Sequence, residues 1–300
     1  MAALSRFWYL GLAATGLTAL TRRLSRGGLI LCYHNVVPRG VPLGDPSVHL
    51  SLERFESQMQ WLSTHYDVVP LGELYRRSQD NEAHHRSAAI TFDDAYNGVF
   101  QHAAPVLRSL NLPATVFVVS DAADGLPVFW WDHPSSSGAL LHREYFVVTL
   151  RGDQQAILPD DRFPALLIPP RAYRPAGWNT IRAAVAAGFE IGSHSCTHRN
   201  LTQLDDRELR DEVTRSREII ARQTGAMPEW FAYPYGIWDD RVRDAVAGAG
   251  YRGAVALKTE LNRPATDRFA LHRVNIPSSI TLPAFEAWAA GLSPRQPTAA

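Results

Sequence analysis

The sequence predicts an α/β fold, namely a distorted (β/α) barrel of about seven to eight parallel strands. From residue 29 onward, short β-rich runs alternate with segments of helical periodicity. Most of these runs are continuously apolar, which is typical of parallel strands that are buried on both faces. An open doubly wound sheet is the alternative, but no GxGxxG motif follows the first strand to favour it.

Eight segments carry the strand pattern: Leu29–Tyr33, Asp67–Leu71, Ala88–Phe92, Ala114–Val119, Phe189–His194, Trp230–Pro234, Gly253–Leu257 and Leu271–Ile276. Helical patterns lie between them, at Leu52–His65, Gly98–Leu110, Asp205–Thr224 and Trp238–Ala249. The third of these helices has clear ends, because Asp205 and Glu208 resemble a capping box and Gly225 follows its last turn.

The chain divides into a main domain, residues 29–292, and two short flanking segments. Residues 1–28 are apolar and then basic, since the uncharged run from Phe7 to Leu20 is followed by Arg22, Arg23 and Arg26. This pattern fits an export signal, a membrane-surface anchor or a helix packed on the domain. Residues 293–300 are expected to form a flexible tail.

A long insertion, at about 121–177, interrupts the alternation of strands and helices. It is rich in proline, contains Phe129-Trp130-Trp131, and includes a strand-like run at Tyr145–Leu150. Insertions of this length between two strands are usually functional or mobile. We therefore expect this one to cover the mouth of the barrel.

Composition narrows the classes of function. Thirty basic and thirty acidic residues cancel, which argues against a nucleic-acid partner. No run reaches the 18 apolar residues that a transmembrane helix needs. Eleven histidines and eight tryptophans favour a metal site and a sugar-binding cleft. The sequence carries no signal for an oligomeric state.

Several residues that can carry chemistry follow predicted strands directly. In an α/β barrel the carboxyl ends of the strands form the active-site face. Asp93 and Asp94 follow the third strand, and the run His194–His198 follows the fifth. His34 follows the first strand, and His272 with Arg273 lies on the last.

The spacing of His194 and His198 is that of a metal-binding pair. Two histidines four residues apart can face one ion, and one carboxylate completes a His–His–Asp set with open positions for water. The residue after the first histidine is Ser195, which cannot act as a base. The Asp93-Asp94 pair can supply both the third ligand and the base.

These residues resemble the polysaccharide deacetylase family, the NodB-type carbohydrate esterases. Thr91–Asp94 is similar to the family's TFDD motif, and His194–His198 matches its H-S/T-x-x-H motif. Phe231–Gly236, with the sequence FAYPYG, is similar to the third motif, and the resemblance spans about residues 29 to 290. It implies a distorted (β/α) barrel that removes acetyl groups from N-acetyl sugars, or from O-acetyl sugars, with a divalent metal.

The resemblance also implies residue roles. Asp93 is expected to be the general base, and Asp94, His194 and His198 the metal ligands. Ser195 is expected to steady the ligand loop. The backbone N–H of Tyr235 is expected to stabilise the oxyanion. The implied ion is Zn²⁺, with Co²⁺, Ni²⁺ and Fe²⁺ as alternatives.

One position departs from the family pattern. Ala232 stands where the third motif usually has an arginine that orients the base. The FAYPYG form is similar to the poly-β-1,6-N-acetylglucosamine N-deacetylase subgroup, which lacks this arginine and begins with a strand ending in Tyr-His. By that resemblance His34 is the expected general acid, with His272 as the rival. Arg273 is a candidate to neutralise a carboxylate at the mouth.

The predicted function is metal-dependent deacetylation of an N-acetylated polysaccharide or glycan, as in exopolysaccharide metabolism. Trp130, Trp131 and Trp238 are candidates to stack on sugar rings. Hydrolysis of small cyclic or linear amides is the alternative activity, and a carbohydrate-binding relic without turnover is the non-enzymatic one. The expected location is the cell envelope or the exterior, with membrane-surface contact through residues 1–28 as one option. The alternative location is the cytoplasm.

Overall fold

The computed structural model describes residues 3–38, 47–79, 86–126, 128–132, 146–149, 155–158 and 169–292. Its strands are β1 Leu29–Tyr33, β2 Asn35–Val37, β3 His49–Ser51, β4 Asp67–Val68, β5 Ser87–Phe92, β6 Ala114–Val118, β7 Phe146–Thr149, β8 Gln155–Leu158, β9 Glu190–Ser193, β10 Trp230–Ala232, β11 Gly253–Leu257 and β12 Leu271–Asn275. Its α-helices are α1 Ala3–Ala14, α2 Leu17–Leu24, α3 Leu52–His65, α4 Leu71–Gln79, α5 Ala104–Ser109, α6 Trp178–Ala186, α7 Asp206–Thr224, α8 Asp240–Gly248 and α9 Leu282–Ala289.

Seven parallel strands form a closed barrel in the order β1-β12-β11-β10-β9-β6-β5. The ring closes because β5 also pairs with β1, from Leu29 opposite Ala88 to Tyr33 opposite Phe92. Helices follow or precede these strands, as parallel connections require. The predicted distorted (β/α) barrel is therefore confirmed, and the open doubly wound sheet is wrong.

The predicted strand at 67–71 is short in the structure. β4 ends at Val68 and pairs with the first residues of β5, outside the ring. Helix α4 begins at Leu71, directly after Pro70, whose ring favours the first turn of a helix. Leu71 and Leu74, three residues apart, are both buried, which is a helical spacing. The apolar run Val68–Leu71 resembles a strand in the sequence, and this explains the wrong boundary.

The insertion contains a second, separate strand pair. β7 lies within the predicted run 145–150 and pairs antiparallel with β8, which the sequence did not predict. Much of the rest of 121–177 and the tail 293–300 lie outside the described residues. Residues 128–132 are described, and they carry Trp131 to the barrel mouth.

Alternation along each strand separates the barrel interior from the layer beneath the helices. Ile30, Ala89, Phe117, Trp230 and Leu271 belong to one buried cluster inside the ring. Their neighbours Leu29, Leu31, Ala88 and Ile90 belong to the cluster that packs under the helices. Because side chains alternate with a period of two, every second residue beyond the interior set also points inward.

The N-terminal helices α1 and α2 pack against α9. Trp288 Nε1 donates a hydrogen bond to Tyr9 Oη at 2.9 Å, and Ser25 Oγ donates to Ala290 O at 3.0 Å. Tyr9 and Leu12 are buried in the main core. Among the residues that the structure describes, no helix has the length and apolar character that crossing a bilayer requires.

Gly192 tests the packing of the barrel interior. A Cβ at this position would lie 2.4 Å from the Phe117 ring, so we expect Gly192→Ala to lower the free energy of unfolding by about 1–3 kcal/mol through overpacking. Gly248→Ala is the matched control, because no atom lies within 4 Å of its added Cβ and a helical Gly→Ala change should stabilise. Equal unfolding midpoints for the two variants in denaturant titrations would contradict the packing described.

Candidate active site

The alternation of the strands brings the sequence-predicted residues to one end of the barrel. On β1 every second residue points inward, in the order Ile30, Cys32 and then His34 just after the strand. On β5 the same order is Ala89, Thr91 and then Asp93. One open pocket results at the carboxyl ends of the strands. Its lining residues are His34, Val48, Asp93, Asp94, Trp131, His194, His198, Tyr235, Gly236 and Leu257.

Asp94, His194 and His198 converge on one point. Asp94 Oδ1 lies 3.7 Å from His194 Nε2 and 3.7 Å from His198 Nε2. His194 Nδ1 hydrogen-bonds to Ala232 O at 2.8 Å, which turns Nε2 toward the pocket. Asp94 Oδ1 is buried without a hydrogen-bond partner among the described residues. This donor set of one carboxylate and two imidazoles fits a divalent metal ion.

The charge states of this cluster also suit a cation. Burial, followed by the charge of Asp93, raises the pKa of Asp94. Burial, followed by repulsion from His194, lowers the pKa of His198, and burial likewise lowers the pKa of His194. Both histidines are therefore neutral, which is the form that binds metals. A cation would relieve the cost of keeping Asp94 ionised.

Asp93 forms a bidentate ion pair with Arg273. Arg273 Nη1 lies 2.7 Å from Asp93 Oδ1, and Nη2 lies 2.8 Å from Oδ2. Arg273 is fully buried, and β12 points it inward because Leu271, two residues earlier, also faces the interior. Burial alone would raise the pKa of Asp93, but the charges of Arg273 and then His194 lower it below its usual range. Asp93 is thus held ionised.

His34 lies beside Asp93 at the pocket wall. One of its ring nitrogens is within 4.8 Å of both an Asp93 oxygen and Cys32 Sγ. Burial lowers the pKa of His34 to about 4, although the charge of Asp93 opposes this shift. Its imidazole is therefore neutral at neutral pH, and either ring nitrogen can exchange a proton.

Two predicted residues lie outside the pocket. His272 precedes the inward-facing Arg273 on β12, so its side chain points away from the interior, and its Nδ1 lies 3.6 Å from Glu260 Oε2. Trp238 stacks on Tyr233 at 5.9 Å between ring centroids and packs in a separate apolar cluster. The side chain of Trp130 lies outside the described residues.

The loop that carries both histidines is held by Glu212 of α7. Its carboxylate accepts hydrogen bonds from the backbone N–H of Cys196 at 3.0 Å and of Thr197 at 2.9 Å, and from Thr197 Oγ1 at 2.5 Å. Ser195 Oγ accepts from the N–H of His198 at 3.0 Å. Glu212 was not predicted from the sequence. The available signal was an acidic residue at a buried helical position, beside Val213 and Ser216.

Behind the pocket residue Trp131 lies a second buried polar group that was not predicted from the sequence, Asp132. Asp132 accepts hydrogen bonds from His49, at 2.8 Å, and from Tyr96 Oη. The Tyr96 hydroxyl in turn accepts a hydrogen bond from Trp131 Nε1 at 2.7 Å. The Trp131 ring lies 4.8 Å from the ring of His198. Asp132 and Tyr96 therefore fix an aromatic wall against one of the candidate ligands.

Backbone conformation sets this region apart from the rest of the molecule. Seven non-glycine residues in the described part of the chain have positive φ, and Asp94, Ser195, His198 and Tyr235 are four of them. Such conformations cost about 1–3 kcal/mol each and cluster at functional sites. The hydrogen bonds of Glu212 and Ser195 offset part of this cost in the histidine loop.

Glu212 is expected to position the ligand loop. Glu212→Ala leaves two backbone N–H groups buried without their acceptor, so we expect a loss of about 1–3 kcal/mol in the free energy of unfolding. We also expect zinc affinity, measured by competition with a chromophoric chelator, to fall roughly 10–100-fold. Glu218→Ala, at an exposed position of the same helix, is the control and should change neither quantity. Unchanged zinc affinity in Glu212→Ala would contradict this role.

Comparisons with known proteins agree with this geometry. Residues 80–254 match the polysaccharide deacetylase family. The chain is 21% identical over 263 residues to YxkH of Bacillus subtilis, provisionally named a polysaccharide deacetylase, covering 86% of this chain and 75% of that protein. A poly-beta-1,6-N-acetyl-D-glucosamine N-deacetylase of Staphylococcus epidermidis is 33% identical over 70 residues, which cover 23% of this chain and 24% of the relative.

The fold has a counterpart among solved structures. IcaB from Ammonifex degensii superposes with a TM-score of 0.63 and 21% identity, covering 89% of this chain and 98% of that one. At this identity the likeness shows the fold. The family match covers more than half of the chain and includes both the Asp93-Asp94 pair and the histidine loop. The chain belongs to the polysaccharide deacetylase family.

Proposed function

We propose that this protein is a metal-dependent hydrolase that removes N-acetyl groups from an N-acetylated polysaccharide. One observation carries the proposal. An ionised Asp93, paired with the buried Arg273, lies next to the Asp94–His194–His198 cluster and the neutral His34 in one open pocket. Metal-assisted hydrolysis of an amide needs these parts: ligands with open positions, a base and a proton donor.

Asp94, His194 and His198 would hold the ion. Their oxygen and nitrogen donors suit zinc, and also cobalt, nickel and iron. When bound, such an ion lowers the pKa of a water molecule and polarises the acetyl carbonyl. Ser195 and Glu212 would support the ion indirectly, because their hydrogen bonds fix the loop that presents the two histidines.

Asp93 would accept the proton of the attacking water. Arg273 occupies both of its oxygens, which orients the carboxylate and keeps it ionised before the reaction. In the family pattern an arginine at the position of Ala232 orients the base; here we infer that Arg273 of β12 does so. The backbone N–H of Tyr235, at the pocket edge, would donate to the carbonyl oxygen as negative charge develops there.

His34 would protonate the departing amine. Because its pKa of about 4 leaves it neutral at neutral pH, the proton that it donates must reach it during the same turnover. An oxygen of Asp93 lies within 4.8 Å of a ring nitrogen of His34, so Asp93 can pass that proton on. In this scheme Asp93 and His34 exchange one proton, and His34 ends each cycle neutral again.

The proposed substrate is a polymer of N-acetylglucosamine, as in exopolysaccharide. Relatives named for poly-N-acetylglucosamine support this choice. The pocket supports it as well, because two aromatic residues, Trp131 and the partly exposed Tyr235, line it, and aromatic rings suit contact with sugars. We accordingly propose a location at the cell envelope or outside the cell, where such a polymer would be met.

The function is tested by amine release from N-acetylglucosamine oligomers of several linkages. We expect release by the protein as purified, loss of release after chelation, and recovery on adding Zn²⁺. Asp93→Asn should retain the metal, because Asp93 is not among the proposed ligands. It should lose on the order of 10²–10⁴ in rate, the scale of general acid–base catalysis.

Two results would contradict this proposal. One is turnover that survives complete chelation. The other is near wild-type turnover in an Asp93→Asn protein that is folded and metal-loaded. His194→Ala is the control for the ligand role, since it should lower metal content and activity together.

The general acid is tested by comparing two substrates. An amide nitrogen leaves poorly unless it is protonated, whereas an activated acetyl ester has a leaving group that needs little protonation. We therefore expect His34→Ala to slow amide hydrolysis by on the order of 10²–10⁴ and ester hydrolysis far less. His272→Ala, outside the pocket, should leave the ratio of the two rates unchanged. A selective loss of amide hydrolysis in His272→Ala would reverse the assignment.

A further inference from the structure

The helical hairpin α1–α2 carries an apolar patch that faces solvent. We define this N-terminal patch as Phe7, Trp8, Leu10, Leu17, Leu20 and Leu24. Phe7 is 72% exposed, Trp8 65% and Leu24 70%. Ten large hydrophobic side chains in the described part of the chain are exposed, and six of them belong to this patch. So strong a concentration on 18 consecutive residues is typical of an interaction surface.

The exposure does not arise from a loosely attached segment. The opposite side of the hairpin is packed on the barrel, since Tyr9, Leu12 and Thr18 are buried. The hydrogen bonds from Trp288 to Tyr9 and from Ser25 to Ala290 fix both helices to the end of α9. One side of the hairpin is therefore buried against the rest of the protein. The N-terminal patch lies on the other side and is held in a defined position.

Charge around the patch selects the partner. The first 44 residues contain no aspartate or glutamate, whereas Arg6, Arg22, Arg23 and Arg26 flank the apolar run. The side chains of Arg23 and Arg26 are exposed. Exposed aromatic and leucine side chains beside arginines match the boundary between acyl chains and anionic headgroups. A protein partner of ordinary composition would not require this one-sided charge.

The position of the hairpin separates it from the active site. Ser25 lies four residues before the start of β1, so α2 ends at the end of the barrel where the parallel strands begin. The pocket with Asp93 and His34 lies at the opposite end, where the strands finish. If the hairpin binds a surface, the mouth of the barrel therefore faces away from that surface.

We propose that the hairpin α1–α2 binds the surface of an anionic lipid bilayer and holds the mouth of the barrel away from the lipid. The helices lie in the interface and do not span the bilayer. The 12 residues of α1 are about 18 Å long, which is shorter than the hydrocarbon core of roughly 30 Å. Phe7 and Trp8 enter the acyl boundary, and Arg23 and Arg26 contact the headgroups. This places a polymer-modifying site on the aqueous side of a membrane.

The test is co-sedimentation of the full chain with vesicles made of equal parts phosphatidylglycerol and phosphatidylcholine. Phe7→Ser combined with Trp8→Ser should weaken partitioning on the order of 10–100-fold. Met227→Ser combined with Leu126→Ser is the control. This pair removes exposed apolar side chains outside the N-terminal patch and should leave partitioning to the vesicles unchanged. Neither pair contributes to the pocket, so amine release in solution serves as the check that each variant is folded.

The charge contribution is tested with a second matched pair. Arg23→Gln with Arg26→Gln should weaken binding roughly thirtyfold, whereas Arg207→Gln with Arg210→Gln, an equal charge change on the exposed side of α7, should not. Binding to the anionic vesicles should also weaken as salt is raised.

Three results would overturn the proposal. The first is no binding to anionic vesicles by the wild-type chain. The second is an equal loss of vesicle binding in all four double variants, the two controls included. The third is a dimer, detected by light scattering, that becomes a monomer in the Phe7→Ser, Trp8→Ser variant while the wild-type chain binds no vesicles. The patch would then be covered by a second copy of this chain.

Discussion

The ion pair between Asp93 and Arg273 is the interaction on which the barrel mouth depends. Arg273 has no exposed surface, and a buried guanidinium is costly unless a carboxylate meets it with good geometry. The closed ring makes that geometry available, because β12 and β5 both flank β1 and Arg273 reaches Asp93 at the end of β5. Cys32 Sγ itself lies 3.4 Å from Asp93 Oδ2. Loss of either partner leaves an uncompensated charge inside the barrel.

The period of two along each strand decides which residues can join this pair. Leu271 faces inward, so Arg273 does as well and His272 does not. Ile30 and Ala89 likewise direct His34 and Asp93 to the mouth. On β9, Gly192 leaves room for the Phe117 ring and thereby lets the chain continue inward to His194. Alternation of side chains along the strands therefore places His34 in the pocket and His272 outside it.

The sequence was enough to predict the barrel and the members of the pocket that follow strands directly. Asp93, Asp94, His194 and His198 stand at strand ends, and strand ends of a parallel barrel meet at one mouth. The partner of each charge was not predictable, because Arg273 lies 180 residues from Asp93 along the chain and only the closure of the ring brings them together. Glu212 and Asp132 were missed for a similar reason. Each acts through hydrogen bonds to a loop or ring that belongs to another element, so the residues around it in the sequence do not reveal its partners.

The two adjacent aspartates are separated in role by what each one contacts. Arg273 engages both oxygens of Asp93, and this lowers the pKa of that carboxyl despite its burial. Asp94 has no such partner, its Oδ1 is left without a hydrogen bond among the described residues, and burial together with Asp93 raises its pKa. Two neighbouring carboxyls whose pKa values are pushed in opposite directions are a sign of divided chemistry. Because the Arg273 guanidinium already pairs with Asp93, a divalent ion would have Asp94 and the two imidazoles as its site. Under the proposed function, Asp93 would then remain free of the ion and able to exchange protons.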